Sequence, residues 1–284
     1  MNKLLKFLTF NKEISVSVLE TTDMVNDAIS IHKLSPVCAA ALGRTMTVST
    51  FMSSNLKSQK DKLYVTVAGD GLGGKISVCG NGELQMRGTI ENPQVDIPLN
   101  DKGKLDVALC VGKNGRITIT KSMGLKEPYS GSAKIVTGEI AEDFTSYYAL
   151  SEQIPTAIAL GVKIGKQLTC VGAGGVIIQA LPFASEKSLQ MAEDIMKKLS
   201  SVSTLIEKGG AEGIVKEFFG EVDYQTYYPK YQCLCSRDNI ERILISLGKE
   251  ELQKILEEEK TIKVNCEFCG KTYEFNQEEI DKLF

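Results

Sequence analysis

The chain has no tryptophan, and His32 is the only histidine among its 284 residues. Chemistry that needs two imidazoles, or a histidine-rich metal site, is therefore excluded. Net charge is scarce as well, only −3 at neutral pH, so a nucleic-acid partner gains no electrostatic support from the chain as a whole. Long apolar runs are also missing. Met1–Phe10 sets Lys3 and Lys6 among apolar residues, as a signal peptide does. Asn11-Lys12-Glu13 then cuts the run short, and no small-residue cleavage site follows. The stretch Pro36–Leu56 contains Arg44 and many Ser and Thr residues, so it reads as a buried core helix and not a membrane span. A cytoplasmic location is expected.

What is present is ample core material and an uneven set of cysteines. Apolar residues make up 43% of the chain and charged residues 24%, enough for a substantial core in one large and one small domain. Of the eight cysteines, Cys38, Cys79, Cys110 and Cys170 are scattered singly through apolar segments and read as small buried hydrophobes. The other four form two close pairs, Cys233/Cys235 and Cys266/Cys269. In a cytosolic chain such pairs point to metal ligation or redox chemistry.

Alternation of Ile14, Val16 and Val18 with polar residues predicts a strand over 12–20, and Thr22 or Asp23 caps a helix to about Ile31. Pro36 then suits the first turn of a longer helix. From 63 to 181 short β-type runs dominate: Leu63–Ala68, Leu84–Ile90, Leu105–Val111, Arg116–Lys121 and Gly175–Leu181. Asn81-Gly82 and Asn114-Gly115 suit two-residue hairpins between them. One helix, Glu139–Ser151, interrupts the meander. Residues 1–182 thus read as one α+β domain with an antiparallel sheet. From Ser185 the pattern is helical, with Leu189, Ile195 and Leu199 on one face and Ile214, Phe218 and Phe219 on another. Gly209, Gly210, Gly213 and Gly220 break it up, each interior glycine costing about 1 kcal/mol against alanine. Residues 183–229 are expected to be a helical linker, either an ordinary connector or a marginally stable one. In 230–284 a helix starts near Asp238, another turn or two covers Lys249–Leu256, and short strands Ile262–Val264 and Thr272–Phe275 flank Cys266-Glu-Phe-Cys269-Gly270. About 55 residues rarely build a self-sufficient core, so a metal or disulfide staple is expected.

Four thiolates in two close pairs suit one tetrahedral zinc ion, with Cys233, Cys235, Cys266 and Cys269 as ligands. Only the second pair has the two-residue gap usual in zinc ribbons. In the first, the single intervening residue, Leu234, sets the Cα atoms near the upper limit for a disulfide, and a slight turn brings them into range. The same four residues can therefore chelate zinc or form short, strained, labile disulfides, each pair supplying its own resolving thiol.

Other constellations are weaker. Gly69-Asp-Gly-Leu-Gly-Gly74 invites a phosphate-loop reading, but no Lys-Ser or Lys-Thr follows. Glu142 and Asp143 could be paired catalytic carboxylates, and are better read as a solvated helix N-terminus. Cys266–Cys269 lacks the βαβ setting of a thiol oxidoreductase. No enzymatic activity is expected.

Cys233-Leu-Cys235-Ser-Arg with Cys266-Glu-Phe-Cys269-Gly closely resembles the redox-regulated holdase chaperones of the thirty-three-kilodalton heat-shock protein family. Thr21-Thr-Asp-Met-Val-Asn26, Ala41-Leu-Gly-Arg-Thr-Met46, Met86-Arg-Gly88, Ser151-Glu-Gln-Ile-Pro155 and Ala173-Gly-Gly175 extend the likeness over nearly the whole chain. The resemblance implies an ATP-independent chaperone that holds unfolding client proteins during oxidative stress, with no membrane or nucleic-acid partner. The reduced form would bind one Zn(2+) through the four cysteines and be inactive. The oxidised form would carry a disulfide within each pair, lose zinc, unfold the C-terminal unit and linker, and act as a homodimer. The division implied is a chaperone core over 1–182, a metastable linker over 183–229 and a zinc-binding redox switch over 230–284. A competing reading is a constitutive zinc-ribbon module that recruits a protein or nucleic-acid partner.

Overall fold

The computed structural model describes residues 1–124, 127–199 and 201–284. It divides into two compact units, Met1–Tyr231 and Gln232–Phe284. The first begins with β1 (Lys3–Thr9), β2 (Ile14–Glu20), α1 (Thr22–His32) and α2 (Pro36–Ser53). There follow β3 (Lys62–Ala68), β4 (Ile76–Asn81), β5 (Gln85–Ile90), α3 (Val107–Val111), β6 (Arg116–Ser122), β7 (Tyr129–Lys134) and α4 (Ala141–Tyr147), the last running into a π-turn over Tyr148–Glu152. The unit ends with β8 (Thr156–Ile164), β9 (Cys170–Ala180), α5 (Glu186–Lys198), α6 (Val202–Phe219), β10 (Gln225–Tyr227) and β11 (Lys230–Tyr231).

Two sheets result, with strand orders β10-β1-β2-β9-β8 and β11-β5-β4-β3-β6-β7. Every pairing is antiparallel except β11 with β5, which is parallel. Helix α2 packs against both sheets and is buried on nearly all sides. Its sequence permits this. Ser35 caps the N-terminus, Pro36 fills the first turn where no amide donor is needed, and the buried Thr45, Thr47 and Thr50 hydroxyls donate to carbonyls one turn back, at 2.8–2.9 Å.

The five-stranded sheet is apolar on both faces. Leu4 and Leu19 join the core around α2, while Leu5, Phe7, Val16, Val18, Val176 and Ile178 point the other way and are covered by α5 and α6. The unit is thus built in four layers: sheet, helix, sheet, helix. The outer helices are pinned by more than burial. The Glu13 carboxylate accepts bonds from the Ser185 amide and hydroxyl at 2.9 and 2.6 Å, which lower its pKa to about 2. Glu20 accepts from the Ala211 amide at 3.0 Å, and Phe7 meets Phe219 edge-on at 5.1 Å. Helix α6 is broken at Gly210, whose φ of 66° and ψ of −167° are not helical.

Several local expectations need correction. Leu105–Val111, expected as a strand, contains α3, because the Asp106 carboxylate accepts from the Leu109 amide and caps a helical turn. Asn114-Gly115 therefore joins a helix to β6 and is no hairpin. The loop at Asn81-Gly82 has three residues, closed by Leu84 at φ 60°. The glycine-rich segment 69–74 needs its glycines for close approach to α3: a Cβ on Gly69 or Gly71 would lie 2.1 or 2.4 Å from the carbonyl oxygens of Val111 and Cys110. β1, which resembled a signal peptide, and β8, which no pattern marked, are both sheet members. Among the described residues no helix is long and apolar enough to cross a membrane.

Asp143 also differs from expectation. It is fully buried, with Oδ1 accepting from the Val136 and Thr137 amides at 2.7 Å each and Oδ2 from Ile140 at 2.9 Å. It ties the loop after β7 to α4, and a carboxylate is the only side chain that offers acceptors at both oxygens. Asp143→Asn turns a donor toward one of these amides. We expect a loss of about 2–3 kcal/mol in the unfolding transition of the first unit, read by urea titration, and a change under 0.5 kcal/mol would contradict this account.

Candidate metal centre

The second unit contains α7 (Arg237–Leu247), α8 (Lys249–Glu259), β12 (Ile262–Asn265), β13 (Thr272–Phe275) and α9 (Gln277–Asp281). Its core is small: Ile240, Leu244, Leu252, Leu256, Ile262, Tyr273, Phe275 and Ile280. The Ser236 hydroxyl caps α7 by accepting from the Asn239 amide, two residues earlier than the Asp238 start expected. The chain just before that cap carries Cys233 and Cys235.

The second pair sits in a knuckle between β12 and β13, which pair from Ile262↔Phe275 to Asn265↔Thr272. Beyond the last pair, the Cys266 amide donates to the Lys271 carbonyl at 2.9 Å, and the Gly270 amide donates back to the Cys266 carbonyl at 2.8 Å. Gly270 has φ of 69°, while a Cβ there would meet nothing within 4 Å. Glycine is therefore required for its backbone and not for space.

All four sulfurs named from the sequence come together, within 4.8 Å of one another. The contacts Cys233–Cys266 and Cys235–Cys269 measure 3.6 and 3.4 Å. Four ligands about 2.3 Å from a tetrahedral zinc would have sulfurs about 3.8 Å apart, so the cluster is near the size such an ion needs. The donor set is all sulfur, which suits zinc and disfavours hard cations. The thiols are half-buried. Burial pushes the Cys233 and Cys269 thiols up. At Cys235 burial also works against the thiolate, but hydrogen bonds from Tyr273 and Cys269 outweigh it and bring the thiol down to about 7.

Tyr273 is a group near the sulfurs that sequence reasoning missed. Its hydroxyl donates to Cys235 Sγ at 3.2 Å, and its own pKa rises to about 12 because the proton is held there. In the sequence it was one more strand aromatic, with nothing to mark its hydroxyl. The four solitary cysteines, Cys38, Cys79, Cys110 and Cys170, are all buried in the first unit.

Comparison with known proteins agrees with this geometry. A family model described as Hsp33 protein matches residues 2–276. A 33 kDa chaperonin of Clostridium acetobutylicum is 38% identical over 287 residues, covering 99% of this chain and 97% of the relative. One from Caldanaerobacter subterraneus subsp. tengcongensis is 43% identical over 265 residues, covering 92% and 90%. The crystal structure of the 33 kDa chaperonin (heat shock protein 33 homolog) from Thermotoga maritima superposes with a TM-score of 0.91 at 30% identity, covering 99% of this chain and 97% of that one. With a match along nearly its full length in family pattern, sequence and fold, the chain belongs to the Hsp33 family.

Proposed function

We propose that the chain is a cytoplasmic, redox-regulated, ATP-independent holdase chaperone. Cys233, Cys235, Cys266 and Cys269 hold one zinc ion in its resting, reduced state and form disulfides in its active state. The observation that carries this reading is the four-sulfur cluster in a unit with so small a core, attached directly to a strand of the first unit. Bound zinc would supply a tetrahedral cross-link worth about 10–16 kcal/mol of apparent folding free energy to such a unit. The chain's own thiolates supply the switch. Peroxide oxidises one thiolate to a sulfenic acid, and the neighbouring thiolate attacks that sulfur. The S–S bond forms, the S–O bond breaks, and the oxygen leaves as water after taking a proton from solvent. Two disulfides leave no thiolate to hold a cation, and a short-loop disulfide restores little stability.

Sulfur contacts of 3.6 and 3.4 Å cross between the pairs. Pairing within each pair is nonetheless favoured once the unit loosens, because the shortest loops close at the least entropic cost. Bonds Cys233–Cys235 and Cys266–Cys269 are therefore expected.

The consequence for the first unit follows from chain continuity. Tyr231 ends β11, its hydroxyl bonded to the Gly88 carbonyl at 3.1 Å, and Cys233 is two residues on. Disorder from Gln232 onward removes the anchor at one end of the segment 183–229. That segment is the metastable linker, residues 1–182 are the chaperone core, and 230–284 form the redox switch. Release of α5 and α6 bares their own apolar faces and the sheet face of Leu5, Phe7, Val16 and Val18 that they cover. Such apolar surface, at about 25 cal/mol per Å² buried, is what holds an unfolding client and also drives dimer formation.

Two experiments test this. Native mass spectrometry of the reduced protein should find one zinc per chain, and Cys235→Ser should abolish tight retention; a metal-free reduced protein would refute the site. Light scattering from an aggregating client should fall only after the chaperone is treated with peroxide at raised temperature, with peptide mapping finding the two within-pair disulfides. Equal suppression by reduced and oxidised protein would favour constitutive recruitment through the zinc unit and overturn the switch.

A further inference from the structure

Lys6 sits in β1, and its ammonium has an unusual set of neighbours. It donates to the Ser54 carbonyl at 3.2 Å and the Asn55 side-chain oxygen at 2.7 Å, just beyond the C-terminus of α2. It lies 5.7 Å from the ring centre of Phe51 and 6.0 Å from that of Tyr227 in β10. Lys3, Lys121 and Lys163 each pair with a glutamate. Among the described residues no carboxylate pairs with Lys6. A surface cavity of about 460 Å³ opens beside it, bounded in part by Lys6, Ser15, Asp223, Tyr224 and Gln225. The amine is thus partly desolvated, held by neutral oxygens and ring faces, and reachable by a small molecule.

We propose that Lys6 is a site of Nε-acylation by small acyl phosphates, and that acylation loosens β10 from β1. Burial lowers the Lys6 ammonium from the ordinary 10.5 to about 8, so the neutral, nucleophilic amine is far more populated near pH 7 than in a solvated lysine. In the reaction the amine nitrogen bonds to the acyl carbon and the carbon–oxygen bond to phosphate breaks. Inorganic phosphate leaves and the surplus amine proton goes to solvent. The amide formed is uncharged and has a single N–H. It cannot donate to both Ser54 and Asn55, it loses its attraction to the two ring faces, and it no longer complements the carbonyl end of α2. β10 depends heavily on that contact, for it pairs with β1 only at Leu4↔Tyr227, Leu5↔Thr226 and Lys6↔Gln225. This site needs none of the four clustered thiols and stands or falls separately from the redox switch.

The test uses the full-length, reduced, metal-loaded protein and acetyl phosphate at pH 7.5, with peptide mass spectrometry over time. Lys6 should acetylate about tenfold faster than the exposed Lys57 and Lys60, the gain in neutral amine outweighing its reduced access and basicity. A rate equal to or below theirs overturns the site. Hydrogen exchange at Gln225–Tyr227 then tests the consequence. Exchange should quicken in Lys6→Gln and in acetylated wild-type protein, and stay slow in Lys6→Arg. Unchanged exchange in the acetylated protein overturns the coupling, whether or not the glutamine variant folds.

Discussion

A β-sheet that is apolar on both faces must be covered on both. The five-stranded sheet of the first unit meets this requirement on one side with α2, a helix buried along its length. It meets it on the other with α5 and α6. The two covers differ in kind. α2 is locked between two sheets, and its buried Thr45, Thr47 and Thr50 hydroxyls bond to carbonyls one turn back. α6 is the outermost layer, carries glycines at 209, 210 and 213, and is broken at Gly210. A layer of that sort, on the proposed reading, leaves without dismantling the six-stranded sheet and α2 beneath it. On the proposed reading, this asymmetry lets a folded protein store a client-binding surface.

On the same reading, the second unit supplies the control because it cannot easily stand alone. Eight buried side chains form its core, and below about 70 residues such cores rarely exceed a few kcal/mol. Its order is therefore sensitive to the one strong cross-link available, the four sulfurs gathered within 4.8 Å. Chemistry that removes thiolates removes the cross-link, and no long-range signal is needed. The first cysteine follows β11 by two residues, so on the proposed reading loss of order starts at the last strand of the first unit.

Much of this was legible in the sequence because it rests on spacing. The four cysteines, the flanking strands Ile262–Asn265 and Thr272–Phe275, and the glycine that turns the knuckle follow local rules. The core helix from Pro36 and the helical texture from Ser185 were equally plain. What escaped depends on tertiary placement. Asp143 looked like any acidic residue in a first helical turn, and only the fold of the preceding loop buries it. β1 was not read as a strand because a two-faced strand carrying Lys3 and Lys6 shares the composition of the start of a leader. α3 was lost because five residues are too few for a helical period, and Tyr273 because one hydroxyl among strand aromatics leaves no pattern. The four-layer order, in which α5 and α6 cover a sheet face, has no local signature at all.

The central claim is that the order of Gln232–Phe284 controls the cover formed by α5 and α6. Hydrogen exchange on the full-length protein, before and after peroxide treatment that removes zinc, tests it directly. The account predicts that protection is lost through Gln232–Phe284 and through Val202–Phe219, while β3 to β6 keep theirs. Full protection of Val202–Phe219 in an oxidised sample that suppresses client aggregation would contradict it and place the client surface elsewhere.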